Sequence, residues 1–129
     1  MKTFNSLKLL SILAAGLFLA PAAFAETSDW MNGYDSFRFA NNKLGKEGVL
    51  ITRIECKDSG KVSLDYDSAL VRLTYEKNPK KIGWLFTGWP NLPEIQRKYE
   101  RQGYKLVQHT MFRREKTGLR LYCVLFHKD

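Results

Sequence analysis

Few side chains in this 129-residue sequence have the chemistry of a reactive centre, and they fall into three groups. The first is a pair of cysteines, Cys56 and Cys123, each inside a strand-like run and without CxxC spacing. Isolated sulfurs of that kind do not make a metal or redox site, whereas an even cysteine count in an exported chain points to a disulfide. A bond between them closes a long loop and removes unfolded-chain entropy worth about 4 kcal/mol.

The second group is the histidines and acids. His109 and His127 could share a metal or work as a catalytic pair only if one face of a sheet carried both. No GxSxG, HExxH, Walker or dinucleotide-binding pattern accompanies them. Asp58, Asp65 and Asp67 cluster as calcium ligands can, but without the ligand order or terminal glutamate of an EF-hand loop. The expectation is no metal and no cofactor, with His109 a packed or surface residue rather than a general base.

The third group is basic and aromatic: Arg113, Arg114, Lys116 and Arg120 beside Tyr122, Phe126 and His109. Arginine with nearby aromatics suits a wet, charged interface. Charge is unevenly spread. Residues 26–76 hold 7 basic and 9 acidic side chains, and residues 77–129 hold 12 basic and 4 acidic, net −2 against +8. A basic half selects anionic partners: an envelope surface, an acidic protein or, least available outside the cytoplasm, nucleic acid.

The elements that must position these groups follow from patterning. Residues 1–25 read as a secretory signal peptide: Lys2 and Lys8, an apolar run at 9–20 too short to span a bilayer comfortably, and Ala23-Phe24-Ala25 as a cleavage site. The remainder, 26–129, is long enough for one exported domain, periplasmic or secreted, with no transmembrane segment. Loose alternation predicts a strand at 34–39, and composition predicts a loop at 41–48. Strands are expected at 49–56, 62–67, 71–76 and 82–86, the third preferred over a helix at 68–76 for its β-branched and aromatic content. In the first of these, Leu50, Thr52, Ile54 and Cys56 share one face. Lys77, Lys80 and Lys81 around Pro79 form a charged turn with some anion-binding potential.

A helix at 92–102 is the clearest single element. Asn91 caps it, Leu92, Ile95 and Tyr99 form its apolar stripe, and Gly103 stops it. Two strands, 104–114 and 119–128, then close a hairpin around residues 115–118. Pairing Arg114 with Leu119 sets Thr110 opposite Cys123, His109 opposite Val124 and His127 opposite Leu106. Leu106, Phe112, Leu121, Cys123 and Leu125 then lie on a face expected to meet both the helix and the disulfide, and the histidines point apart.

The chain is therefore read as α+β: a mainly antiparallel sheet of about five or six strands, one helix packed on one face, and a C-terminal helix-hairpin unit. The expected function is a non-enzymatic binding protein meeting an anionic envelope component or an acidic protein through the basic hairpin. The competing expectation is an envelope enzyme, or an inhibitor or immunity-type protein, using a site near His109.

Overall fold

The structure is a computed structural model that describes residues 25–45, 48–62, 66–88 and 91–129. The expected signal peptide lies outside these residues, except for Ala25. Among the described residues no helix is long and apolar enough to cross a membrane.

The architecture is α+β and antiparallel, but it has two sheets in place of one. In the first, β4 (Ala69–Lys77) is flanked on one side by β3 (Val49–Asp58). On the other it is flanked by two short strands, β1 (Glu26–Thr27) and β2 (Met31–Asn32). In the second, β7 (Arg120–Lys128) runs between β5 (Gly83–Gly88) and β6 (Lys105–Arg113). The strict alternation expected of β4 is present: Ala69, Val71 and Leu73 are buried and Leu70, Arg72 and Thr74 are half-buried.

Residues 34–39 are not a strand, which corrects the sequence expectation. Gly33–Arg38 is helix α1, and it continues as a π-helix over Phe39–Leu44 where a loop was expected. The Asn32 side chain accepts the Asp35 amide at 2.8 Å, satisfying a helix-start donor. Gly33, Ser36, Ala40 and Leu44 are buried, and that helical spacing overrides the looser aromatic alternation. A Cβ at Gly33 would lie 2.2 Å from the Tyr66 carbonyl oxygen, so only glycine admits this approach. The expected strand at 62–67 is also absent at its described ends: Val62 is exposed and Tyr66–Ser68 is a 3₁₀ turn.

Two bulges redirect side chains. In β3 the register shifts between Ile51 and Arg53, so Ile51 and Ile54 are both buried although strict alternation would set them on opposite faces. In β6 the shift falls between Leu106 and Gln108. The hairpin register holds from Arg113↔Arg120 to Gln108↔Leu125, after which Leu106 faces Phe126 and His127 faces Lys105. Leu106 therefore leaves the expected face.

The sheets pack through Ile51, Ile54, Val71, Leu73, Phe86, Phe112, Leu121 and Leu125, with Ala40 and Leu44 from the helical segment closing the core. Strand β3 lies across the second sheet and is tied to all three of its strands. Trp84 Nε1 donates to Val49 O at 2.7 Å, and His127 Nε2 bonds Ile51 O at 2.7 Å. The Gln108 amide pairs with both Ile54 N and Ile54 O, at 2.8 and 3.0 Å. These side chains satisfy main-chain groups that a bare strand edge would leave open. Cys56 and Cys123 complete the series as a disulfide with Cα atoms 6.4 Å apart.

Helix α2 (Leu92–Glu100) packs on the other face of the second sheet, where Tyr99 meets Phe126 at 5.2 Å between ring centroids. The helix and the disulfide thus occupy opposite faces of β7, not the shared one expected. Coverage from both sides explains why Cys123, Val124, Leu125 and Phe126 are consecutively buried.

Candidate binding face

The outer face of the β6–β7 hairpin is longer than the helix that covers it. Nine helical residues span about 13 Å, whereas nine strand residues span about 30 Å. Helix α2 covers Phe126 through Tyr99, and the half nearer the turn carries the exposed His109, Met111, Arg113 and Arg120.

That open half is built in cross-strand rows. Arg113 lies opposite Arg120 and Met111 opposite Tyr122, while His109 sits opposite Val124 and edge-on to Tyr122 with ring centroids 6.3 Å apart. Arg113, Lys116, Arg120 and His109 are exposed and Tyr122 is half-buried. Met111 is 48% exposed, adding apolar area beside the cations. It was not among the expected site residues. Its signal was an apolar side chain in a strand whose opposite face already supplied the core.

Two expected members do not belong to this face. Arg114 is 1% exposed: its Nε donates to Asp58 Oδ1 at 2.9 Å, and a second nitrogen donates to the Lys61 carbonyl. Its position just past the paired strand turns it into the space between β3 and the hairpin turn. Phe126 is 0% exposed beneath Tyr99 and cannot anchor a partner.

The electrostatics separate this face from the other charged surface. On β3 and β4, Arg72 is held by Glu55 through bonds of 2.8 and 3.1 Å, and the Trp30 ring lies 4.6 Å from Arg72 and 4.2 Å from Lys57. The Arg72 hydrogen bonds keep the Glu55 carboxyl below its ordinary range. On the hairpin, Arg113 donates to the Gly118 carbonyl at 2.8 Å. Among the described residues, no carboxylate lies within 4.0 Å of the Arg113, Lys116 or Arg120 cations. Like charges directly opposite in a sheet are unfavourable, so the Arg113–Arg120 pairing adds no cross-strand attraction to the hairpin.

The remaining groups are engaged elsewhere or stand apart. His127 faces β3 and His109 faces outward, on opposite sides of the hairpin. Asp58 Oδ2 accepts the Glu115 amide at 2.9 Å, and Asp67 lies 4.0 Å from Lys61; Asp65 is outside the described residues. No group of three or more His, Cys, Asp or Glu among the described residues is arranged to hold a metal. Compared with known protein families, curated proteins and solved structures, the chain shows no significant match.

Proposed function

We propose that this is an exported, non-enzymatic binding protein whose open hairpin face meets an anionic envelope component or an acidic protein. The observation that carries the reading is the row of Arg113 opposite Arg120, bordered by exposed Met111 and half-buried Tyr122. Two guanidiniums supply forked donors for phosphate or carboxylate, and the apolar neighbours supply area that loses water on contact. The disulfide fits an oxidising compartment, and the excess of basic residues in 77–129 would steer an anionic partner toward this half of the chain.

A binding titration against vesicles containing phosphatidylglycerol, and separately against an acidic protein, tests the reading. Affinity for one of the two should fall as salt rises from low to physiological ionic strength and beyond. Affinity that ignores salt in both arms, or no binding in either, would remove it.

A further inference from the structure

A second basic feature lies at the other end of the second sheet. Gly83, where β5 begins, pairs with Lys128, whereas the arginine row sits at the opposite end of β7. The loop from β4 into β5 borders a half-open pocket of about 240 Å³ there. Its apolar wall is Leu50, Pro79 and Ile82, and its polar rim includes Lys77, Lys80 and Glu76.

The loop is internally braced. The Asn78 amide donates to Gly48 O at 3.1 Å, tying the loop to the start of β3, and Lys81 N donates to Asn78 O at 3.1 Å. The Asn78 side chain accepts from Ile82 N at 2.9 Å and donates to Ile82 O at 2.8 Å. This clamp holds Lys81 at a φ of 54°, a left-handed conformation that a lysine seldom takes. Lys77, Lys80 and Lys81 are exposed, and among the described residues none has a carboxylate within 4.0 Å of its ammonium. The braced loop fixes the backbone from which Lys77 and Lys80 reach the pocket, so an arriving anion has side chains but little main chain to order.

We propose that this pocket binds a phosphate monoester or diester of headgroup size, with Lys77 and Lys80 on the phosphate and its short organic body against Leu50 and Ile82. The volume is below the range of about 300–1,000 Å³ usual for drug-sized ligands, which suits such a body. Glu76 on the rim accepts a hydrogen bond from a ligand hydroxyl or ammonium and disfavours a bare multivalent anion. The inference uses none of the hairpin residues and stands or falls apart from the function proposed above.

The test is an amide NMR titration of the purified protein with glycerol phosphate, paired with sedimentation on phosphatidylglycerol vesicles. Resonances of Leu50, Lys80 and Ile82 should shift with glycerol phosphate if the ligand is free in solution. Vesicle binding that free glycerol phosphate does not reproduce, but that Lys77→Gln with Lys80→Gln weakens, assigns the same site to a lipid headgroup. In the arm that binds, the double variant should lose about tenfold or more in affinity, as expected for removing charge-assisted bonds. Arg120→Glu should leave the shifts of Leu50, Lys80 and Ile82 unchanged, whatever it does to resonances of the hairpin. Unmoved pocket resonances together with vesicle binding indifferent to the lysine substitutions would overturn the proposal. A preserved spectrum outside the loop is the control for folding.

Discussion

The side-chain amide of Gln108 lies against the main chain of Ile54 as a neighbouring peptide would, accepting from its nitrogen and donating to its oxygen. One residue of β6 thus satisfies both open groups at a single position of β3. Gln108→Ala should strand both and cost about 2–4 kcal/mol, the lower part of the range that roughly 1–3 kcal/mol for each unsatisfied group gives, because the site is only part-buried. Gln108→Glu should recover little, since a carboxylate accepts from the amide but faces the carbonyl with another acceptor. Urea unfolding of the three proteins reads this directly, and an alanine variant as stable as the parent would show that these bonds contribute nothing net.

The Cys56–Cys123 bond spans 67 positions. Reducing it should lower unfolding free energy by about 4 kcal/mol, the loop-entropy value for that length. Equilibrium denaturation of oxidised, reduced and double-serine protein would measure it. The double-serine form should lose about 1–3 kcal/mol more than the reduced form, because a hydroxyl replaces the sulfur of buried Cys123.

Asp58 fastens the end of β3 to the hairpin turn. The Glu115 amide, then the Gly60 amide and the Arg114 guanidinium, hold its carboxyl below the ordinary value of 3.8 against the opposing effect of burial. A depressed folded pKa means that the ionised form is the stabilising one. Its contribution is complete above the unfolded value and is lost as pH falls through the folded value, so the loss belongs below about pH 4. Glu55, depressed by Arg72, adds with the same sign. Asp58→Ala should destabilise by about 3 kcal/mol at neutral pH, because it removes the carboxylate that binds both the buried Arg114 guanidinium and the Glu115 amide. The same variant should flatten the acid limb of a stability-against-pH curve.

Opposite consequences for stability and binding are expected at Arg120. Substituting glutamate turns a repulsive row into an attractive one, raising stability by up to about 1 kcal/mol while removing a partner cation. Thermal unfolding and vesicle or acidic-protein binding measured on the same preparation would reveal the split. A variant that binds as tightly as the parent would remove Arg120 from the contact.

Much of the scaffold was legible because its signals are local. The Asn91 cap, the Gly103 stop, the β4 alternation and the turn-proximal hairpin register all derive from neighbours in sequence, and the two cysteines pair as their number implied. The bulges carried no such signal: Thr52 and Val107 are ordinary strand residues, yet each inverts the inward-outward parity of its strand beyond that point. Helix α1 was hidden because Tyr34, Phe37 and Phe39 imitate a strand, although Asn32 and Asp35 already formed a helix start. At the candidate face, Arg113 and Arg114 look alike in sequence. Alternation alone sets Arg114 on the side of Phe112, but the distant Asp58 that makes a buried arginine tenable there is seen only in the fold.

The ties from β3 to the second sheet and the hairpin turn bridge separations of 35 to 76 residues. None can form while only the front of the chain is available, and β5 has no in-sheet neighbour until β7 arrives. Assembly is consequently dominated by non-local closure, which makes acquisition of the native state slow for a chain this short. Because Leu121 and Leu125 of β7 cover the inward-facing residues of β3 and β4, the last strand also serves as the lid on the first sheet, and a change that keeps it from docking leaves that apolar face bare.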